Sequence, residues 1–329
     1  MKNIIVSALT CFAVLMPSKA EDKTPAQKAA DHLQNVSVTI RAEGDFSAGE
    51  GSGVIFSRKD SKGHLVNFVW TAAHVVDNLR SERKVLVDGS PKTLVEFKDP
   101  MIVKEIRQNG RTVGRLQMDA EVLKYSDASD GHDLALLRVR KFNFVTDTVV
   151  FHLDKEIPAL GTDLMHVGSL LGQMGANSMT DGIYSQHGRL IKSLNKHVFD
   201  QTTVTAFPGS SGGGVYLKKD AKYIGMLVRG AGEGFNLIVP VRRMINFCEK
   251  HKIQWALDPK VKMPSEEEIK KIPVEHAPKE KGEDSEETKE AKKKHPFKIR
   301  KIEFYNDYND GRPDFLKTRP QPFKTMEKH

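Results

Sequence analysis

Three stretches of the sequence carry residue types that could do chemistry together. Thr71-Ala72-Ala73-His74 follows a strongly apolar run ending at Trp70, which puts His74 at a strand end or in the turn after it. Asp133 opens Asp133-Leu134-Ala135-Leu136-Leu137, a carboxylate at the head of an apolar strand whose neighbours would bury it. Phe207-Pro208-Gly209-Ser210-Ser211-Gly212-Gly213-Gly214 concentrates glycine around two serines. Glycine loses more conformational freedom on folding than any other residue, so such a run is costly unless its backbone must approach a ligand. Taken singly, a histidine in this place is commonly a structural hydrogen bonder and a strand-opening Asp is commonly a cap. Together they ask for acyl transfer. A serine hydroxyl is a weak nucleophile until a neutral imidazole takes its proton, the imidazole needs a partner on its other nitrogen, and the developing oxyanion needs fixed N–H donors. His74, Asp133, Ser211 and the glycine-rich loop supply one role each.

The elements that must hold these residues are short and β-rich. From Val36 to about Pro240 apolar runs alternate with Gly, Asp, Asn and Ser: Val36 to Ile40, Gly53 to Phe56, Leu65 to Trp70, Lys84 to Val87, Leu134 to Val139, Gly188 to Ile191, Val215 to Leu217, Ile224 to Val228 and Leu237 to Val241. Many short strands with turn signals between them predict an all-β barrel or sandwich. Val241, Met244, Ile245 and Cys248 then recur at helical spacing, so one amphipathic helix closes the domain by Leu257. Before the strands, Ala26, Ala29, Ala30 and Leu33 suit a short leader helix ending near Asn35.

Composition bounds the rest. The chain has 329 residues, 39% of them hydrophobic, enough for a sizeable core in one or two domains. Its net charge of +8 is spread along the sequence and is too mild to argue for nucleic acid. Lys2, the apolar run Ile4 to Met16 and Ser18-Lys19-Ala20 read as a signal peptide over residues 1–20, with the mature chain starting at Glu21. A membrane anchor is the alternative, but that run is shorter than the ~20 residues that spanning takes, and no later stretch is apolar enough. The expected product is exported, periplasmic or secreted, with no membrane span after signal removal. With Cys11 in the removed segment, Cys248 stands alone and an intramolecular disulfide is excluded.

Beyond Asp258 the sequence turns to Lys and Glu with scattered Pro, 18 basic against 16 acidic residues, so the charge is mixed and not of one sign. It reads as a largely disordered low-complexity extension over 258–329. Asn306 to Gly311 faintly suggests a calcium loop, but setting Gly311 at the sixth position puts Tyr308 and Lys317 where oxygen ligands are needed, so calcium is rejected. No cofactor or metal is expected. Gly209-Ser210-Ser211-Gly212-Gly213 also fits the G-x-S-x-G hydrolase elbow, yet Gly214-Val215-Tyr216-Leu217 continues as a strand where an elbow enters a helix.

The order His…Asp…Ser is that of the chymotrypsin class. Gly51-Ser52-Gly53-Val54-Ile55, Thr71 to Val76, Asp133 to Leu137, His166-Val167-Gly168-Ser169, Gly182-Ile183-Tyr184-Ser185, Gly209 to Gly213 and Ile224-Gly225 together resemble the trypsin-like serine proteases, and within them the bacterial HtrA/DegP-like exported branch. The resemblance covers about Val36 to Leu257. It implies a double six-stranded antiparallel β-barrel, chymotrypsin-like, with a C-terminal helix on the second barrel and a serine endopeptidase domain over 36–257 after a leader at 21–35.

Carried over by position, Ser211 is the nucleophile, His74 the general base and then acid, Asp133 the buried orienter, and the N–H groups of Gly209 and Ser211 the oxyanion hole. The specificity pocket would have Thr205 at its floor and Val228, Arg229, Gly230 and Gly234 in its walls, which carries no carboxylate to select Lys or Arg and suits uncharged P1 side chains in protein or peptide substrates. Three departures stand out. Ser210 replaces the family's Asn or Asp before the nucleophile. The His-to-Asp interval is long, as if a hairpin were inserted between Pro91 and Gln117. No PDZ domain follows, and oligomeric state is not legible. A catalytically inactive binding or chaperone-like protein on the same scaffold is the rival function, and an esterase would share the machinery.

Overall fold

Thr24 starts the leader helix with a capping box: its hydroxyl accepts from Gln27 N–H, the Gln27 side chain accepts from Thr24 N–H, and Pro25 takes the first helical position, where its missing N–H costs nothing. The structure, a computed structural model, describes residues 23–275, leaving out 88–89, 109, 130, 192–196, 231 and 233. The leader helix is α1 (Pro25–Asn35), with Leu33 buried. The signal segment, the charged extension beyond residue 275 and the rejected calcium loop lie outside the described residues.

The β-rich region forms two closed barrels. The first contains β1 (Ser37–Glu43), β2 (Ala48–Lys59) and β3 (Leu65–Thr71), which leads through Ala72 into the single helical turn α2 (Ala73–Val76). Next, β4 (Arg80–Val87) and β5 (Ser90–Phe97) pair only with each other. The barrel resumes with β6 (Met101–Gln108), β7 (Arg111–Ser126) and β8 (Leu134–Val139), in the order β1-β2-β3-β8-β7-β6. The second barrel holds β9 (Asp163–Leu170), β10 (Gly175–Leu190), β11 (Val198–Thr202), β12 (Gly214–Leu217), β13 (Tyr223–Gly230) and β14 (Asn236–Pro240), in the order β9-β10-β11-β14-β13-β12. With the separate hairpin set aside, both barrels have the same connectivity, and every pairing between their strands is antiparallel. The double six-stranded barrel expected from the motifs is thus the observed fold.

The most legible strands are β3 and β8, buried on both faces, which read as continuous apolar runs. The strands missed are β5, β6, β7, β9, β11 and most of β10: β5 and the stretch Arg111 to Asp119 of β7 are largely exposed, while β9 and β11 are buried but interrupt their apolar residues with His166 and Ser169 and with Asp200, Gln201 and Thr202. The inserted hairpin is also displaced from its expected place. Met101 to Gln117 belongs to the barrel, and the extra hairpin is Arg80–Phe97, directly after the His74 turn.

The C-terminal helix, α3 (Val241–His251), continues straight from β14 of the second barrel but does not pack on that barrel alone. Phe247 meets Trp70 of the first barrel edge-on at 6.4 Å, and the turn after the helix sets Trp255 against Phe68 at 4.9 Å. Trp70 Nε1–H donates to Ala256 O at 3.1 Å. Nor does the folded region end at Leu257. The short helix α4 (Glu266–Ile269) buries Ile269, Tyr125 N–H donates to Val274 O at 2.8 Å, and the ammonium of the buried Lys124 donates to Pro273 O at 2.6 Å. Burial pushes that ammonium down to about 8. Ion pairs from Arg138 to Glu266 and from Arg80 to Glu275 fasten the same segment. A chain ending at Leu257 should therefore lose on the order of 2–4 kcal/mol of stability, since it strips apolar burial and leaves Lys124 and Tyr125 N–H without partners. A chain ending at His276 should melt with the full-length protein, and thermal unfolding of the three lengths checks both.

Candidate active site

The three motifs meet between the barrels. Because α2 starts one residue past β3, with Ala73, Val75 and Val76 buried, His74 is the member of this turn that faces the cleft. Its Nδ1 lies 3.0 Å from each Asp133 carboxylate oxygen, and its backbone N–H donates to Oδ1 at 3.2 Å. A carboxylate accepts only, so Nδ1 carries the proton and Nε2 keeps its lone pair.

Asp133 reaches this position through a left-handed backbone, φ +56°, a conformation that Asp tolerates better than most residues. The turn is held from several sides. Asp133 N–H donates to Asp127 O at 3.0 Å, His132 N–H donates to Ser126 Oγ at 2.8 Å, and the buried Arg243 of α3 donates to His132 O. The carboxyl is almost wholly buried, which alone would raise its pKa. Hydrogen bonds from His74, the imidazole charge and the Arg229 guanidinium outweigh that and hold it below the ordinary carboxylate range.

Ser211 lies in the loop between β11 and β12, where Ser52 N–H donates to Ser211 O at 2.7 Å, tying the loop to the first barrel. Its hydroxyl donates to Val228 O at 3.5 Å, and Ser211, Gly209 and His74 line one cavity of about 290 Å³. The N–H groups of Gly209 and Ser211 have no acceptor among the described residues, whereas their neighbours are held. Leu171 N–H donates to Pro208 O at 2.7 Å, and Ser52 Oγ donates to Gly209 O at 2.7 Å while accepting from Ser169 N–H at 2.7 Å. Both peptides flanking Gly209 are therefore fixed with its N–H left free for a ligand. Gly209 has φ +92°, and a Cβ there would collide with Ser169 O. Gly212, at φ +88°, would carry its Cβ into Ser52 O, so its small size serves the contact between the barrels. Ser210 is buried, and its hydroxyl accepts from Phe207 N–H at 3.1 Å, closing the turn where the resemblance would place Asn or Asp.

A second cavity of about 460 Å³ opens beside Ser211, with Ala206, Val228, Arg229 and Gly230 among its walls. Thr205 and Gly234 do not line it. Thr205 is exposed and its carbonyl accepts from Thr180 Oγ1 at 2.9 Å, so the floor starts one residue later, at Ala206. Gly234 sits at φ +74° in an exposed turn, where its carbonyl accepts from Gln201 Nε2 at 3.5 Å. Ser52, Leu171 and Arg243 emerge as positioning residues that sequence reading missed. Ser52 stands within the Gly51-Ser52-Gly53 motif, a signal that could have singled it out; Leu171 acts through its backbone and leaves none. Among the described residues no group of three or more His, Cys, Asp or Glu is placed to hold a metal ion, and no helix is long and apolar enough to cross a membrane.

Two barrels with a His, an Asp and a Ser converging between them define a chymotrypsin-fold protein, and the family model described as trypsin-like peptidase domain matches residues 51–226. The chain belongs to that trypsin-like peptidase family. Among solved structures it is similar to the HtrA-type protease AlgW with tripeptide, at 18% identity and a TM-score of 0.50, over 71% of this chain and 65% of that one. It is also similar to a serine endoprotease from Yersinia pestis, at 19% identity and a TM-score of 0.49, over 70% of this chain and 67% of that one. At such identities the likeness is one of fold, and the chain spans less than two thirds of the AlgW structure. No curated protein matches the sequence.

Proposed function

We propose that this protein is an exported serine endopeptidase acting through His74, Asp133 and Ser211. The observation that carries the reading is the His74–Asp133 pair, 3.0 Å apart, with His74 in the wall of the cavity that Ser211 and Gly209 also line. With Nδ1 engaged by the carboxylate, Nε2 is the imidazole atom able to take a proton. A χ1 turn of Ser211 from Val228 O toward His74 makes its hydroxyl the attacking group. As Oγ bonds to the scissile carbonyl carbon, its proton passes to Nε2 and the carbonyl oxygen becomes an oxyanion, received by the N–H groups of Gly209 and Ser211. His74 then gives that proton to the departing amine, leaving an acyl-Ser211. A water molecule deprotonated by His74 hydrolyses the ester and restores the serine.

Lys2, the apolar run Ile4 to Met16 and Ser18-Lys19-Ala20 support removal of residues 1–20 and function in the periplasm or outside the cell. The leader at 21–35, a catalytic domain from residue 36 and a charged extension form the proposed organisation, with the domain's end moved from residue 257 to about 275 by the packing of α4. Proteins or peptides are the substrates. Among its described walls the second cavity has no carboxylate, so Lys and Arg at P1 find no counter-charge, while Ala206, Val228 and Gly230 suit Val, Leu, Ala or Met. Apolar contacts discriminate by only about 1–3 kcal/mol per group, which makes for broad selection. Cleavage of a peptide library by the chain starting at Glu21, with Ser211→Ala as control, tests the reading. Cuts after uncharged residues, absent in the control, are expected. Strong selection for Lys or Arg would reject the pocket, and no cleavage by a folded wild type would favour a binding protein on a protease scaffold.

A further inference from the structure

Arg229 is not where a regular strand would put it. Along β13, Leu227 pairs with Ile238 and Arg229 with Leu237, so two residues of one strand span a single step of the other and Val228 is the extra residue of a bulge. Leu227 and Ile238 both belong to the core inside the second barrel. Without the bulge Arg229, two residues after Leu227, would point into that same core. The bulge reverses the alternation. Arg229 instead shares a face with Leu237, which packs in the cluster shared with the first barrel and α3, and its guanidinium comes to 3.9 Å from Asp133 Oδ2. Nη2 also donates to Ala128 O at 3.5 Å, in the loop that leads to Asp133. The same bulge takes Val228 out of the ladder, and its carbonyl accepts the Ser211 hydroxyl. One irregularity thus sets two contacts of the site.

Resting on the serine-protease reading above, we infer that Arg229 is a positioning residue of the triad, a cation that holds the Asp133 carboxylate toward His74 and opposes protonation of the imidazole. The other charged groups around Asp133 are His74 from α2, Asp77 from the turn after it, Asp127 from the loop before β8, and Arg243 from α3. Asp77 and Asp127 favour an imidazolium, and Arg243 is committed to the carbonyls of His132 and Val198. Arg229 is the cation whose removal leaves those carbonyl bonds in place. Its side chain is 38% exposed, so its replacement spares the core.

The experiment follows phosphonylation of Ser211 by a fluorophosphonate probe against pH in wild type, Arg229→Gln and Arg229→Lys, alongside NMR titration of the His74 imidazole in the same proteins. In Arg229→Gln the acid limb should move up by about 0.5–1 pH unit, so that the rate one unit below the wild-type midpoint falls about 3–10-fold further than the rate at the alkaline plateau. Arg229→Lys should restore most of the shift. A limb that stays in place, or a loss equal at every pH, overturns the inference. If the wild type is not labelled the protease reading fails, and the His74 titration, which needs no turnover, still decides whether Arg229 acts on the imidazole.

Discussion

Ser211→Ala and His74→Ala should each lower kcat by on the order of 10⁴–10⁶, and the double variant should lose little more, because nucleophile and base act as one unit. Asp133→Asn separates orientation from fold. Asn accepts the left-handed backbone at φ +56°, so the turn clamped by Ser126 and Arg243 should survive. What changes is the partner of His74 Nδ1: an amide cannot hold the charge of an imidazolium and stabilises the wrong tautomer, for a loss of about 10⁴ in kcat. Asp133 also makes a pH statement. Its carboxyl is held below the ordinary range, so the stability it contributes is fully present above the unfolded value near ~3.9 and is lost as pH falls through the lower folded value. The pH–rate profile should accordingly show no limb from Asp133 at neutral pH. Steady-state kinetics on active-site-titrated enzyme, with thermal melts of each variant, measure these effects. Turnover near wild type in Ser211→Ala would end the assignment.

The candidate constellation was legible because His74 and Asp133 stand beside apolar runs that fix their place and Ser211 stands in a glycine run. Thr71 ends β3 and Leu134 starts β8, so His74 and Asp133 could be placed at strand ends without knowing how the strands pair. What joins them was not legible. Leu171 contributes a backbone N–H at φ +60°, which no side-chain pattern announces. The position of Arg229 depends on a bulge, and since side-chain direction has a period of two, one extra residue moves a side chain to the opposite face. Local sequence does not report such a shift, and so Arg229 read as a pocket rim where the structure also sets it against the triad aspartate. The boundary at Leu257 failed for a related reason. Ile269, Ile272 and Val274 are too few among lysines and glutamates to show a period, yet they suffice once a preformed barrel face is there to receive them.

The oxyanion hole gives the second large effect, and Gly209→Ala isolates it. At φ +92° an alanine is strained, and its Cβ would collide with Ser169 O and with Gly172 across the junction of the loop with β9. The loop has no free direction in which to relax, because Leu171 N–H fixes the carbonyl before Gly209 and Ser52 fixes the one after it. The strain should therefore be relieved by rotating the two peptides, which turns the Gly209 N–H out of the cavity. Loss of one such donor costs about 10²–10³ in kcat, with KM changing far less, since the donor serves charge that develops only in the transition state. Ser52→Ala removes just one of the two ties and should cost less, about tenfold, if each tie contributes a typical hydrogen bond of ~1–1.5 kcal/mol. A peptide boronate that forms an oxyanion-like adduct on Ser211 should bind Gly209→Ala more weakly by a factor close to the kcat loss. A product carboxylate peptide, which reports the subsites more than the hole, should bind it nearly as well as wild type. Equal weakening of both ligands would mean that the substitution has collapsed the cleft and would remove Gly209 N–H from its assigned role.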